Sequence, residues 1–403
     1  MPRYIVYSPE NNYKIVSART TGHKPLLEMA NLYSYVHALA LLGSLLATPA
    51  LCLADDNHDY HKKHVALFVL GDSIFDPGNN NYINTTPDFQ ANFWPYGESF
   101  FKYPTGRFSD GRLVPDFIAQ FANLPLIPGY FQAEQVGFVN GVNFASGGAG
   151  SLVETFSGLV IDLKTQLQNF KKVVKQLRGK LGDKESNQLL SSAVYMFSIG
   201  SNDYLSPYAT NSTIFNTYTK EEYVDIVIDN FTDVIKEIYK EGGRKFAIFS
   251  PLPLGCLPYY RALKLQQTNQ TGCLEKFRVL AEMHNKALPK KLVKLEKALQ
   301  GFKYSYFDFF TAITDIIDHP SRYGFKVGKT ACCGSGPYRG LSSCGGTRGQ
   351  YKEYELCKDV GNYLFFDNVH PTEKSNLQFA TLLWNGDSNV VRSCSVKSLF
   401  ELV

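Results

Sequence analysis

Ser73 is the first residue of the sequence whose position favours catalysis. It follows the apolar run VALFVL at 65–70 and stands in the corner Gly71-Asp72-Ser73. A serine at the turn after a buried strand can be a nucleophile if a base, a carboxylate that orients the base, and oxyanion donors lie nearby. The Gly-x-Ser-x-Gly elbow of standard α/β-hydrolases occurs nowhere in the chain, which argues against that class.

His370 is the best candidate base among the eight histidines. It stands in FFDNVHPT, three residues after Asp367. One turn can therefore place the carboxylate beside one ring nitrogen and leave the other nitrogen facing Ser73. The remaining histidines lie near the amino terminus, inside a predicted helix (His284) or before a proline (His319). Asp-x-x-His is a weak signal alone, because it often arises by chance.

The elements that must position these residues alternate along the chain. Short apolar runs predict buried strands, and segments with a 3.6-residue period predict helices between them. The predicted strands are 65–70, 138–144, 193–199, 245–249 and 303–309, and the predicted helices are 114–122, 161–177, 221–242 and 273–299. This alternation predicts an α/β fold with a parallel sheet covered on both faces. No linker divides it, so we expect one domain over 65–403, with a long ordered loop at 320–364.

Three predicted strands would bring polar groups to one edge of such a sheet, where open α/β folds bind ligands. The first strand ends at Ser73. The second leads into NGVNFASGGAG, in which Gly148 is a candidate backbone donor, and the third leads into IGSNDY, in which Asn202 offers a side-chain amide. Each element alone is ordinary turn chemistry. Their joint order favours a serine hydrolase.

These blocks resemble the plant GDSL esterase/lipase family of the SGNH hydrolase superfamily. The four ordered blocks of that family match FVLGDSIFDPGNNN, GVNFASGGAG, IGSND and DNVHPT. YPTGRFSDGR, PLPLGCLP and CCGSGPYRG also look like family segments, so the resemblance covers nearly the whole chain after the amino-terminal segments. Within the family, the sequence looks most similar to the secreted, defence-associated lipases.

The resemblance implies a single three-layer, flavodoxin-like α/β/α domain with a serine hydrolase site. Carried over by position, Ser73 is the nucleophile, His370 the base and Asp367 the orienting carboxylate. The Ser73 backbone, Gly148 and Asn202 would form the oxyanion hole. The implied substrate is a small-molecule or lipid carboxylic ester, and no cofactor or metal is implied.

Several alternatives use the same residues or the same blocks. Gly147 is the close rival of Gly148, which is preferred because it lies five residues after Asn143. An acyltransferase would use the same site with an alcohol in place of water. An inactive binding protein would have no need to keep the catalytic set. A metallophosphoesterase would need an Asp-x-His pair on the first strand, and the run VALFVL has none.

Other polar residues of the motifs are predicted to be structural. Asp76 and Asn79–Asn81 would satisfy the turn after Ser73, and Arg107 and Asp110 are given no catalytic role.

The amino terminus predicts export. The apolar run at 36–50 is shorter than the roughly 20 residues of a membrane span, but it suits a signal peptide. Cys52-Leu53-Ala54 offers a small-x-small cleavage site. We therefore expect an extension and signal peptide over 1–54, with the signal at 29–54, and then a polar leader at 55–64. The expected location is extracellular, in the apoplast or cell wall.

Sequons and cysteines agree with that location. Four Asn-x-Ser/Thr sequons, at Asn84, Asn211, Asn230 and Asn269, are candidate glycosylation sites. Cys256 with Cys273 would close a short loop, and 332–357 is expected to hold another disulfide. Seven cysteines would remain after cleavage, so at least one is expected to be free or to pair with another chain. A zinc site is disfavoured because no Cys-x2-Cys pair occurs.

Charge excludes a nucleic-acid partner. The net charge is +4, and the densest basic segments, KKVVKQLRGK and KKLVKLEKAL, read as solvated faces of amphipathic helices. No stable membrane anchor is expected in the mature chain, which we expect to be a monomer.

Overall fold

The central sheet is built from the apolar segments that the sequence singles out. The computed structural model describes residues 64–345 and 353–402. Its nine strands are β1 (Leu67–Gly71), β2 (Val194–Ser198), β3 (Lys245–Phe249), β4 (Lys303–Phe307), β5 (Val327–Ala331), β6 (Cys333–Gly334), β7 (Glu355–Leu356), β8 (Tyr363–Phe365) and β9 (Val391–Ser393). The main sheet has the order β1-β2-β3-β4-β9, in which only β9 is antiparallel to its neighbour. The predicted mostly parallel sheet is confirmed.

Two groups of helices cover this sheet. The twelve α-helices of the described residues are α1 (Val114–Phe121), α2 (Tyr130–Val136), α3 (Leu163–Leu181), α4 (Asp183–Ser192), α5 (Ser201–Ala209), α6 (Ile214–Thr217), α7 (Lys220–Lys240), α8 (Pro258–Thr268), α9 (Glu275–Ala298), α10 (Phe309–Asp318), α11 (Glu373–Asn385) and α12 (Val396–Glu401). Helix α7 packs on α3 and α9, whereas α11 packs on α1 and α12. With the sheet between them, these helices form the three-layer α/β/α arrangement that the resemblance implies.

Local sequence explains why the long helices begin where they do. Thr219 caps α7 by accepting a hydrogen bond from Glu222 N, and the Glu222 carboxylate accepts one from Thr219 N in return. Asp162 caps α3 by accepting a hydrogen bond from Thr165 N. The four predicted helices correspond to α1, α3, α7 and α9, so helical periodicity located them correctly.

The segment 138–144 is not the regular strand that its apolar run predicts. It runs alongside β1 and forms the backbone hydrogen bonds Val69 N to Val142 O and Phe144 N to Val69 O, but only isolated bridges result. Gly141 has φ +106°, and a Cβ there would lie 1.8 Å from Leu67 O. At this positive φ the chain leaves the extended conformation of a strand, although the segment still delivers its polar end to the edge beyond β1.

The predicted loop at 320–364 contains regular structure. Strands β5 and β8 pair in parallel and β6 and β7 pair antiparallel. Disulfides join Cys332 to Cys357 and Cys333 to Cys344. The disulfides therefore hold two small sheets together where the sequence indicated only a stapled loop.

The disulfide between Cys256 and Cys273 is also present, as expected. Three disulfides join six of the seven cysteines in 64–345 and 353–402, and none of the seven is free. The expectation of an unpaired cysteine concerns the chain after cleavage at Ala54 and stays a prediction.

The amino-terminal predictions fall largely outside the described part of the chain. The predicted extension and signal peptide at 1–54, and all of the leader at 55–64 except His64, belong to residues that the structure does not describe. The domain boundaries therefore stay predictions.

Candidate active site

The corner after β1 presents Ser73 because Gly71 lets two strands approach closely. A Cβ at Gly71 would lie 2.3 Å from Ser198 O on β2, and the φ of Gly71 is +153°. Gln166 of α3 fixes the same residue by accepting from Gly71 N and donating to Gly71 O, both at 2.8 Å. The chain then turns through buried Asp72 to a partly exposed Ser73. Ser73 is thus both fixed in place and accessible.

His370 and Asp367 follow β8 in one tight turn. Asp367 Oδ1 accepts hydrogen bonds from Val369 N at 2.8 Å and from His370 N at 2.6 Å. An aspartate that accepts from the backbone two and three residues ahead stabilises such a turn. Phe108 packs against the imidazole with ring centroids 4.7 Å apart, which limits where the ring of His370 can lie.

The structure brings the three candidate residues into hydrogen-bond contact. His370 Nε2 lies 2.8 Å from Ser73 Oγ, and His370 Nδ1 lies 2.8 Å from Asp367 Oδ2. Ser73 and His370 are 297 residues apart in the sequence. These distances match those of a nucleophile, a base and the carboxylate that orients the base.

Asp367 is held in the ionised form. Burial alone would raise the pKa of this carboxyl, but the charge of His370 and hydrogen bonds from His370 and Tyr96 together keep the pKa below its usual range. An ionised carboxylate beside Nδ1 selects the tautomer with the proton on Nδ1. Nε2 is then free to accept a proton from Ser73.

Three candidate oxyanion donors follow neighbouring segments: Ser73 follows β1, Gly148 follows the segment 138–144 that runs alongside β1, and Asn202 follows β2. Within the described residues, the backbone N–H groups of Ser73 and Gly148 donate to no acceptor. Asn202, in the first turn of α5, donates Nδ2 to Ala149 O at 3.0 Å, which leaves its second amide hydrogen. β1 bonds both to the segment 138–144 and to β2. The three donors suit a developing oxyanion.

The structure separates Gly148 from its rival. Gly147 N donates to Asp76 Oδ2 at 2.8 Å, so that donor is engaged. Gly148 has φ +83°, and a Cβ there would lie 2.4 Å from ring carbons of Phe89. Only glycine fits at this position, and its free N–H favours Gly148 as the oxyanion donor.

Comparison with known proteins agrees with this geometry. The family profile described as GDSL-like Lipase/Acylhydrolase matches residues 67–383, which include Ser73, Asp367 and His370. The chain belongs to this family. Family membership makes it a carboxylic ester hydrolase, as the sequence blocks predicted.

Named plant proteins are similar over most of the GDSL chain. GDSL esterase/lipase 1 of Arabidopsis thaliana is 52% identical over 349 residues, which cover 86% of this chain and 93% of that protein. GDSL esterase/lipase 2 of the same plant is 50% identical over 366 residues, which cover 90% of this chain and 96% of that protein. The GDSL lipase of Tanacetum cinerariifolium is 49% identical over 361 residues, which cover 89% of this chain and 94% of that protein.

The polar residues after Ser73 join two loops of this GDSL hydrolase. Asp76 accepts from Gly147 N, and Asn79 Nδ2 donates to Asn143 O and Ala145 O at 2.9 and 2.8 Å. Asn80 Nδ2 donates to Gly147 O. Asn79 and Asn80 of the opening motif therefore fix the nucleophile loop to the loop that carries Gly148, consistent with the structural role predicted for them.

Arg107 contacts α1, and Asp110 contacts the start of α11, the helix that follows His370. Arg107 forms a buried ion pair with Asp116 at 2.8 Å and donates to Pro77 O. Asp110 accepts from Glu373 N, at the start of α11. The segment thus connects the nucleophile loop, α1 and α11, and neither residue touches Ser73 or His370 in the hydrogen-bond network.

His284 does not join the site. It is buried, and its Nδ1 lies 2.6 Å from the hydroxyl of Tyr204. Burial lowers the pKa of His284 to about 3. The imidazole is therefore neutral, in agreement with the packing role that its place in a helix indicated.

Two residues near the site were given no role from the sequence. Asp203 accepts from Ser151 N, Leu152 N and Thr155 Oγ1, and so ties α5 to the loop after Gly148. Tyr96 donates to Asp367 at 2.7 Å across 271 residues of sequence. Asp203 stands in the IGSND block and was recognisable as part of a motif, whereas nothing local marks Tyr96.

The four sequons are all on the surface. Asn84, Asn211, Asn230 and Asn269 are exposed. Asn230 lies on α7, and Asn269 follows the last turn of α8.

No described helix is long and apolar enough to cross a membrane. Nor do the described residues contain a group of three or more His, Cys, Asp or Glu side chains placed to hold a metal ion.

Proposed function

We propose that this GDSL hydrolase is a secreted esterase/lipase that cleaves carboxylic esters, acyl lipids or related compounds, through an acyl-enzyme on Ser73. The observation that supports the mechanism most is the line of contacts from Asp367 through His370 to Ser73, each 2.8 Å long. The names of the similar plant proteins, esterase/lipase and lipase, support the reaction class.

In the proposed first step, His370 Nε2 takes the Ser73 proton as Ser73 Oγ attacks the ester carbonyl carbon. The carbonyl oxygen becomes an oxyanion, which the N–H groups of Ser73 and Gly148 and the amide of Asn202 stabilise. The tetrahedral intermediate collapses, the C–O bond to the alcohol breaks, and His370 gives its proton to the leaving alkoxide. Ser73 then carries the acyl group.

In the second step, His370 takes a proton from water, and the resulting hydroxide attacks the acyl carbon. The carboxylic acid leaves and Ser73 recovers its proton from His370. Asp367 stays ionised throughout and stabilises the imidazolium that forms in each step. An alcohol in place of water would yield a new ester, so the same site serves the acyltransferase alternative.

Export is supported by independent features. Three disulfides join six of the described cysteines, which is typical of oxidising compartments. The four candidate glycosylation sites are exposed, so a glycan could be carried without disturbing the core. We propose cleavage after Ala54, an extracellular monomer, and no cofactor. The mass of the secreted protein, before and after glycan removal, tests the cleavage and the glycosylation together.

The activity test compares the wild type with Ser73→Ala, each expressed as the full chain in a secreting host. Substrates are p-nitrophenyl esters of increasing acyl length, assayed with and without an added alcohol. We expect release of p-nitrophenol by the wild type only, with free acid as the main product. A folded wild type that releases nothing from any ester would contradict hydrolysis, and an alkyl ester as the main product would favour the acyltransferase.

A further inference from the structure

Tyr96 contacts the proposed triad from the side opposite His370's backbone contacts. Asp367 Oδ1 accepts from the backbone N–H groups of Val369 and His370 and lies 2.9 Å from His370 Nδ1, whereas Oδ2 accepts from Tyr96 Oη at 2.7 Å and from His370 Nδ1 at 2.8 Å. Tyr96 is 2% exposed. The nearer of the two oxygens that contact the imidazole therefore also accepts from a buried tyrosine hydroxyl.

The direction of the protons follows from the charge on Asp367. An ionised carboxylate only accepts hydrogen bonds, so the Tyr96 hydroxyl must donate its single proton to Asp367. Ser343 Oγ lies 3.2 Å from Tyr96 Oη. Because the Tyr96 proton is already committed, Ser343 is the donor in that contact. The result is a chain of hydroxyls, from Ser343 to Tyr96 to Asp367, in which each bond polarises the next.

The surrounding structure fixes both ends of this chain. Ser343 precedes Cys344, which is bonded to Cys333, and Cys333 N donates to Phe366 O at 2.7 Å, one residue before Asp367. The Tyr96 ring packs edge-on against Phe366, with centroids 5.4 Å apart. Neither hydroxyl can therefore move far from the carboxylate that it serves.

We propose that Tyr96 is a positioning residue of the triad and that Ser343 acts on the reaction only through Tyr96. Tyr96 holds Asp367 Oδ2 in line with His370 Nδ1, which keeps Nε2 directed at Ser73. This inference rests on the proposed function, because it concerns the step in which Ser73 attacks the ester.

The test is a double-mutant cycle on the full secreted chain, made of Tyr96→Phe, Ser343→Ala and the double variant. Phenylalanine keeps the ring and removes only the hydroxyl. The control is Tyr195→Phe, which removes an equally buried hydroxyl that donates to Leu190 O at 2.8 Å, away from the site. Activity is measured as kcat and KM on one p-nitrophenyl ester, and folding by thermal unfolding.

We expect Tyr96→Phe to lower kcat about 10-fold, the low end for a hydrogen bond to a charged group, with KM within about twofold. Ser343→Ala should lower kcat about threefold, as one neutral hydrogen bond. The double variant should be no slower than Tyr96→Phe, because Ser343 has no effect once Tyr96 is gone. Tyr195→Phe should lower the unfolding temperature and leave kcat unchanged.

The inference is overturned if Tyr96→Phe keeps the wild-type kcat, if only KM changes, or if the two losses multiply in the double variant. If Tyr96→Phe does not fold, Ser343→Ala decides alone: a lowered kcat at constant KM supports the inference, and an unchanged kcat refutes it. Ser73→Ala is assayed in parallel. If it is inactive while Tyr96→Phe keeps the wild-type kcat, only the inference about Tyr96 fails; if it is active, the proposed function fails as well.

Discussion

The amide of Asn202 provides the sharpest test of the proposed oxyanion hole. One of its hydrogens is donated to Ala149 O at 3.0 Å, and the second is left for the developing oxyanion. Asn202→Ala removes both. Loss of one oxyanion donor of this kind costs about 10²- to 10³-fold in kcat. Loss of the contact with Ala149 should lower the free energy of unfolding by about 1 kcal/mol, as for one ordinary hydrogen bond.

The kinetic signature separates catalysis from binding. The donor matters most when the carbonyl oxygen becomes charged, so kcat should fall while KM stays within about threefold of the wild type. The control is Asn285→Ala, which removes a part-buried amide that donates to Pro251 O at 3.3 Å. Hydrolysis of a p-nitrophenyl ester and urea unfolding are measured on both variants. A kcat loss below about fivefold in Asn202→Ala, or a rise in KM alone, would refute the oxyanion role.

Two further variants test the loop and the corner around Ser73. Gly148→Ala should fold poorly or lose activity, because φ is +83° and the new Cβ would meet Phe89 at 2.4 Å; a stable variant with full kcat would disprove the tight fit. Burial raises the pKa of Asp72 from its usual 3.8 to about 7, so the protonated form of Asp72 favours the folded state. The contribution of Asp72 to the free energy of unfolding is then complete below about pH 4 and is lost as the pH rises towards 7. In Asp72→Asn, the free energy of unfolding measured with urea should therefore fall less between pH 4.5 and 7.5 than in the wild type. An equal fall in both proteins would contradict this role of Asp72.

The sequence was sufficient wherever the determinants are local. Four of the predicted strands form β1 to β4, because continuous apolar runs mark strands that are buried on both faces. The four predicted helices exist because their apolar residues recur with the helical period. The order of strands and motifs along the chain was enough to predict which residues meet at the edge of the sheet.

The sequence was insufficient where contact between distant segments decides the structure. The run at 138–144 is typical of a strand, but Gly141 sits against Leu67 with a φ of +106°, which takes the chain out of the extended conformation. The predicted strand at 303–309 ends at Phe307, since Asp308 caps α10 through Thr311 N. Only the first correction depends on a distant neighbour. The second is a local cap, three residues from its donor, which the aromatic run at 303–309 obscures.

The surroundings of the triad were the least accessible part. Asp367 and His370 were identified from their spacing and from the family block. Tyr96 and Ser343 carry no such mark, because buried tyrosines usually donate a hydrogen bond to some nearby acceptor. Only the fold shows that the acceptor of Tyr96 is Asp367.

The most direct test of the central claim asks which serine is activated and by what. A fluorophosphonate probe reacts covalently with an activated serine, and peptide mapping by mass spectrometry locates the adduct. We expect the wild type to carry the probe on Ser73, and His370→Ala, folded to the same extent, to react far more slowly. Labelling of another serine, or labelling of Ser73 at an unchanged rate in His370→Ala, would contradict a Ser73 nucleophile activated by His370.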